Sequence, residues 1–263
     1  MCTLSIIAVE GSGRGRRGLR VVVNRDEHRE RSNAYPPRWH DLPDGGGAGR
    51  RAIWPVDAHA GGTWIAAADH GLVLAVLNHY PRPPVDVVEL TGLRSRGFLI
   101  PDLISEPTAE AVVARVQDNE LSSYAPFRMI AAQAARDARV RDGQFRAAEL
   151  RWDRTTLTVS WHAGDAMCFA SSGLGDHRAA PRLPLFAEMV AEPGATPDRQ
   201  DEFHRHTWPD RPEVSVMMSR TEARTVSVTR LDVMPAGSAT DRFRVSMAYE
   251  PVTDALVAVR ERR

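Results

Sequence analysis

The sequence predicts an α+β fold, one domain over residues 1–263 in which antiparallel sheets carry helices on their outer faces. Three observations predict it. Alternating and β-branched runs fill most of the chain up to Leu77, the hydrophobic period turns helical between Leu93 and Asn119, and strand-like runs return from Phe127 onward. That order lacks the regular strand–helix alternation of a doubly wound parallel sheet. No internal repeat, low-complexity tract or interdomain linker interrupts it.

The elements follow in order. Cys2, Leu4, Ile6 and Ala8 alternate with Thr3, Ser5 and Ile7, giving a first strand that ends at a glycine-rich turn over 11–18. Residues 19–23 are a second, β-branched run, and the two read as a hairpin. This second strand leads into Asn24-Arg25-Asp26-Glu27, four polar residues where a strand leaves the sheet. Residues 33–49, rich in Pro and Gly, read as a loop. Strands at 63–67 and 72–77 flank a turn at Asp69-His70-Gly71. Residues 93–105 and 108–119 read as helices, the second with Thr108 as N-cap. Strands at 127–133, 147–152, 157–161 and 166–170 precede helices at 182–190 and 199–206. Strands at 225–233 and 242–249 and a terminal helix at 252–260 close the chain.

Composition excludes several function classes. There are 34 basic and 34 acidic residues, and a balanced chain has no global field to hold nucleic acid or an anionic membrane. Every basic residue is Arg, so lysine Schiff bases and lysine phosphate loops are absent. Two cysteines, Cys2 and Cys168, are too few for a disulfide framework or a cysteine zinc site and suit a reducing compartment. No segment reaches the roughly 20 apolar residues of a membrane span, and no basic stretch precedes the apolar run from Leu4 to Val9. The expectation is a cytoplasmic protein with no integral membrane segment that handles a small-molecule substrate or ligand.

Cys2 is the first candidate for chemistry. Removal of Met1 would leave it with a thiol and a free α-amine whose reference pKa is near ~8, so one residue supplies nucleophile and base. In Asn24-Arg25-Asp26-Glu27 an Arg beside a terminal thiol would hold it as thiolate and a carboxylate would orient the amine, or the cluster is a solvated turn. Gly61 and Gly62 before Thr63-Trp64 permit a positive φ or a close backbone approach, or form an ordinary turn. Asn78, at the end of an apolar run, offers an oxyanion donor or a turn residue. Asp201, Glu202, His204 and His206 read as surface residues rather than a metal site, because i and i+2 on a helix point apart. Cys168, between Met167 and Phe169, reads as a buried, inert thiol.

Met1-Cys2, Asn24-Arg25-Asp26-Glu27, Gly61-Gly62-Thr63-Trp64-Ile65, Leu77-Asn78 and Ser95-Arg96-Gly97 together resemble the transport and Golgi organisation family, also called the NRDE family. Ser172 departs from the Ser-Asn usual after a late strand, and Glu222 replaces an arginine for which Arg220 or Arg224 would substitute. The resemblance implies a four-layer αββα fold of the N-terminal-nucleophile (Ntn) hydrolase type, similar to penicillin V acylase and bile salt hydrolase. Those relatives cleave amides with a terminal Cys supported by Arg, Asp and Asn. It makes Cys2 the nucleophile, Arg25 and Asp26 its supports and Asn78 the oxyanion donor. Asn24 and Glu27 are the alternatives in a register shifted by one residue. Gly61, Gly62, Thr63, Trp64, Arg96 and Arg224 complete the expected binding surface. The implied activity is a cofactor-free amidase or acyltransferase acting on a small, partly apolar amide or thioester through an acyl-Cys2 intermediate. The alternative is a haem or acyl-metabolite carrier, with His28, His40, His59, His70 and His79 as axial haem candidates.

Overall fold

Strands β1 (Cys2–Glu10) and β2 (Arg17–His28) pair antiparallel as the alternation predicts, in a computed structural model that describes residues 2–11, 17–43, 49–81, 92–134, 145–236 and 242–253. With β10 (Ala166–Ser171), β11 (Ala223–Pro235) and β12 (Phe243–Pro251) they form a five-stranded sheet in the order β10-β1-β2-β11-β12. The second sheet is a seven-stranded meander in chain order. It comprises β3 (Tyr35–Asp41), β4 (Arg51–Val56), β5 (Ile65–Ala68), β6 (Leu72–Asn78), β7 (Phe127–Gln133), β8 (Phe145–Trp152) and β9 (Leu157–Gly164).

Strand alternation sorts side chains into layers. Leu4, Ile6, Val21 and Val23 face Ile65, Val73, Ala75, Leu77 and Ile130 across the space between the sheets. The opposite faces of the same strands meet helices. Leu72, Leu74, Met129 and Leu150 pack on α1 (Leu99–Leu103) and α2 (Ala109–Gln117), whose Leu99, Ile100, Leu103, Val112 and Val116 are buried. On the five-stranded sheet, Ile7 packs on Phe186, Val190 and Phe203, from the segment containing α4 (Arg182–Phe186) and α5 (Pro197–His204). A short α3 (Asp176–Ala179) follows β10. The order is therefore helix, sheet, sheet, helix. Burial on both faces explains why β6 reads as a continuous apolar run instead of alternating.

Three expectations are corrected. The segment over 33–49 contains the edge strand β3, and β4 follows it. Pro36 and Pro37 disguise β3, which tolerates them because only one side is paired and its register shifts between Tyr35 and Arg38. The helix expected over 93–105 is shorter, a 3-10 turn at Arg96–Phe98 followed by α1, and the helix over 182–190 passes from α4 into a π turn at Ala187–Ala191. Of the terminal helix only residues 252 and 253 are described, and residues 12–16 of the first turn are also outside the described residues.

Candidate active site

Cys2 is the first residue of β1, directly opposite Arg25 on β2 and Ser171 on β10. Opposite residues of an antiparallel pair share a face, so the Cys2 and Arg25 side chains both enter the space between the sheets. There they border a cavity of about 410 Å³, whose walls also include Glu27, Asp57, Trp64, Asn78, Tyr80 and Arg96. Asp26 borders it too, beside the start of β1.

Asn24 points the other way, which excludes it as a cavity residue. It is fully buried, its amide donates to the carbonyls of His204 (2.8 Å) and Val216 (2.9 Å), and its Oδ1 lies 2.8 Å from His204 Nδ1. His204 Nε2 in turn lies 2.7 Å from Ser5 Oγ, which accepts from the Gln200 amide at 2.8 Å. His204 is thus a core residue rather than the surface residue expected, and burial pushes its imidazole down to about 3. Asp201 pairs with Arg20 and Arg230.

Arg25 is committed elsewhere than the thiol. Its Nη2 donates to Asp57 Oδ2 at 2.5 Å, Glu27 lies 3.6 Å away, and its guanidinium stacks 4.7 Å from the Trp64 ring. Asp57 also receives Arg31 at 2.9 Å and the amides of His59 and Ala60. Burial works to raise the Asp57 carboxyl, but the Ala60 amide, Arg25, the His59 amide and Arg31 together hold it below the usual range. Burial raises the Cys2 thiol above its ordinary value against the pull of the terminal ammonium, the Asp26 charge adds to the rise, and Arg25 comes last among the groups that lower it.

Asp26 sits in a buried cluster. Its Oδ1 accepts from Thr225 Oγ1 at 2.6 Å, and Oδ2 lies 3.6 Å from Arg182 Nη1. Arg182 is 0% exposed and also donates to Thr3 Oγ1 (2.5 Å) and the Val214 carbonyl (3.0 Å). Burial raises the Asp26 carboxyl against the pull of Arg182 and Thr225.

The glycine pair does what its spacing allows. Gly61 has a φ of +73°, and a Cβ on Gly62 would come within 2.7 Å of the Gly97 carbonyl carbon. Thr63 N–H donates to Gly97 O at 3.1 Å, so two separate sequence motifs meet backbone to backbone at the cavity wall. Thr63 Oγ1 donates to Ile65 O at 3.0 Å. Asn78 Nδ2 donates to Tyr80 Oη at 3.0 Å, which uses one of its two N–H groups.

The late motifs differ from expectation. Arg224 lies opposite Glu27 on β11, donates to the carbonyls of Thr225 and Val252, and does not border the cavity. Arg220 comes closer: its charge reaches the Asp26 carboxyl and its Nη2 lies against Gly173. Ser172 is buried; its N–H donates to Asp176 Oδ1 and its Oγ accepts from the Leu174 amide.

Beyond Tyr80, Ser95 and Arg96 a second chamber of about 660 Å³ opens, with Pro81, Leu93, Pro126, Leu174 and His79 on its walls. His79 Nδ1 is 2.9 Å from Asp176 Oδ2. Among the other histidines, His28 borders the Cys2 cavity, His40 stacks on Trp54 at 3.7 Å, and His70 Nε2 is 2.9 Å from the Glu106 carbonyl. The His59 amide belongs to the Asp57 turn. Among the described residues no three His, Cys, Asp or Glu side chains form a group able to hold a metal ion. Cys168 lies on the helix side of β10, half-buried rather than fully buried as expected, and its surroundings push its thiol up to about 12.

Sequence reasoning missed Asp57, Arg31, Tyr80, Arg182 and Thr225. Asp57 carried a signal, a carboxylate closing an apolar strand just before a glycine pair. Arg182 carried none.

A family model described as Transport and Golgi organisation 2 matches residues 1–163. The chain belongs to that family. No curated protein matches it. Among solved structures it is similar to a Caenorhabditis elegans ortholog of N-acylethanolamine-hydrolyzing acid amidase, with 13% identity, 94% of this chain and 100% of that one covered, and a TM-score of 0.55. It also aligns with penicillin V acylase from Agrobacterium tumefaciens at 12% identity, covering 95% and 86% of the two chains, with a TM-score of 0.43. The four-layer arrangement of this family member is thus the Ntn-hydrolase fold.

Proposed function

We propose that the chain is an N-terminal-nucleophile cysteine hydrolase that cleaves a small, partly apolar amide or thioester. The observation that carries the reading is Cys2 at the first position of a central strand, bordering a cavity with Asn78. The reading requires a free α-amine on Cys2, which removal of Met1 provides.

With its thiol raised by burial, Cys2 reacts as a neutral S–H whose proton leaves during attack. The α-amine takes that proton as sulfur bonds to the carbonyl carbon. The second N–H of Asn78 stabilises the oxyanion, its first being engaged by Tyr80. The tetrahedral intermediate then expels the leaving group, which receives the proton from the ammonium, and leaves an acyl thioester on Cys2. Water, giving a proton to the amine, attacks the thioester. Collapse releases the carboxylic acid and returns the thiol. Arg25 is a positioning residue in this scheme, fixed by Asp57 and Trp64, and Asp26 is the carboxylate beside the chain end.

The test is labelling of the processed protein with an acyl or β-lactam electrophile, read by peptide mass spectrometry. An adduct on Cys2 that the Cys2→Ala variant lacks is expected. An adduct confined to Cys168, or none where free cysteine reacts, refutes the reading.

A second reading, carriage of haem or an acyl metabolite without turnover, is favoured by one observation. His79 borders the larger chamber with Nδ1 anchored on Asp176, which leaves Nε2 for a ligand. Saturable haem binding with a Soret shift that His79→Ala weakens would support it, and equal, non-saturating binding by both forms would refute it.

A further inference from the structure

Among the described residues, Arg96 is a cation of this site without an ion-pair partner. It opens the 3-10 turn Arg96–Phe98, and that turn is held against the Gly62–Thr63 backbone by the Thr63 N–H to Gly97 O bond. Its Nη1 donates to the Pro126 carbonyl at 3.0 Å, which orients the guanidinium where the two chambers join. Among the described residues no carboxylate is in ion-pair contact with it. The neighbouring arginines differ in this respect. Arg25 and Arg31 share Asp57 and Glu27, and Arg94 pairs with Asp102.

A part-buried guanidinium without a counter-charge is costly, and burial lowers the pKa of Arg96 accordingly. Its charge acts on Tyr80, Cys2 and Glu27, so it lies within electrostatic reach of the reacting sulfur, while Glu27 is in ion-pair contact with Arg25 and Arg31 and not with Arg96. Two further donors of the same cavity lack protein partners: Arg25 Nη1 and Trp64 Nε1 are both buried without an acceptor among the described residues. An arginine fork matches a carboxylate with two parallel N–H···O bonds. The larger chamber beyond it offers Leu93, Pro81, Pro126 and Leu174 to an apolar group.

We propose that Arg96 seats a carboxylate of the substrate, which makes the substrate class amides that carry an acid group close to the scissile bond and an apolar acyl chain. The simplest molecule of that layout is an N-acyl amino acid. This rests on the amidase reading above and adds the charge that the substrate must bear.

The test separates the two. N-octanoylglycine and its methyl ester are titrated by calorimetry into the Cys2→Ala protein, which binds without turnover. The acid should bind on the order of 10-fold more tightly than the ester, the size of one charge-assisted contact. Arg96→Gln in the same background should remove that preference while leaving the ester's affinity in place, and Arg96→Lys should keep part of it. Equal affinity for acid and ester in the Cys2→Ala protein overturns the proposal, whether or not Arg96→Gln folds. So does an Arg96→Gln protein that weakens both ligands equally, and so does failure of the acid to bind at millimolar concentration. The amidase reading is judged independently by electrophile labelling of Cys2. A preserved acid preference without labelling would leave Arg96 as the anchor of a carrier, and labelling without the preference would leave an amidase for neutral substrates.

Discussion

Acid should weaken this fold through His204, before its paired carboxylates are protonated. The imidazole is fully buried between Ser5, Asn24 and Gln200, and burial brings its pKa from 6.5 to about 3. Asp201 pulls it upward, while Arg230, Arg182 and Arg20 add to the depression. The unfolded chain takes up a proton below pH 6.5 that the folded chain refuses until near pH 3, so stability falls as pH falls through that window. Each pH unit inside the window costs ~1.4 kcal/mol, which gives ~2 kcal/mol between pH 6.5 and pH 5. The depressed carboxyls Asp57 and Asp201 act lower, as pH falls past the ordinary carboxylate value of 3.8. Asp26, whose carboxyl is raised, works in the opposite sense and is present in both proteins compared. The assay is urea unfolding at pH 7, 6 and 5 for the native chain and His204→Gln. The variant should be less stable at pH 7 by ~1–3 kcal/mol, the cost of disturbed buried hydrogen bonds. It should also lose less on acidification, so that the two curves converge. Parallel curves with equal acid slopes would show that the imidazole is not held neutral, and the account of the Asn24 network would fail with it.

Three further outcomes are expected. At pH 7 iodoacetamide should modify Cys2 of the processed chain ahead of Cys168, whose thiol stands at about 12, and Arg25→Ala should change the Cys2 rate little because its charge is a minor influence there; equal labelling of both thiols would contradict this. Asn78→Ala should lower kcat by on the order of 10²-fold with alkylation of Cys2 unaffected, because an oxyanion donor acts only on developing charge; an equal loss in both measurements would assign Asn78 a structural role. Gly62→Ala should destabilise by ~1–3 kcal/mol in urea, since its Cβ meets backbone that has no rotamer to escape into; an unchanged midpoint would mean that the Gly62–Gly97 contact has slack.

What the sequence revealed was local. The β1–β2 alternation, the apolar run of β6 and the Thr108 cap each declare themselves within a few residues, and each forms as expected. Cys2, Asn78 and Arg96 end up around one cavity because their motifs sit at strand or turn ends facing the same gap between the sheets. The hidden parts depend on pairing across long separations. Arg25 looked like the partner of the thiol because Asp57, 32 residues away, has no visible tie to it. Arg182 meets Thr3 across 179 residues, and nothing in Arg182-Leu183-Pro184 announces a buried cation. Asn24 shares a tetrapeptide with Arg25 and Glu27, yet the strand period sends it to the opposite face, away from the cavity. Strand β3 was masked by two prolines, which an edge accepts and an interior strand would not.

The meeting of Gly62 with Gly97 sets a limit on how the pocket can diversify. A wall made of side chains can be deepened or filled one substitution at a time. A wall made of two main chains in contact has a fixed thickness, and replacing either glycine pushes Thr63 and Arg96 apart together. Selectivity in this chain is therefore open to tuning at Trp64, Tyr80 and the residues of the outer chamber, while the separation between the segment that carries Thr63 and the turn that carries Arg96 stays constant.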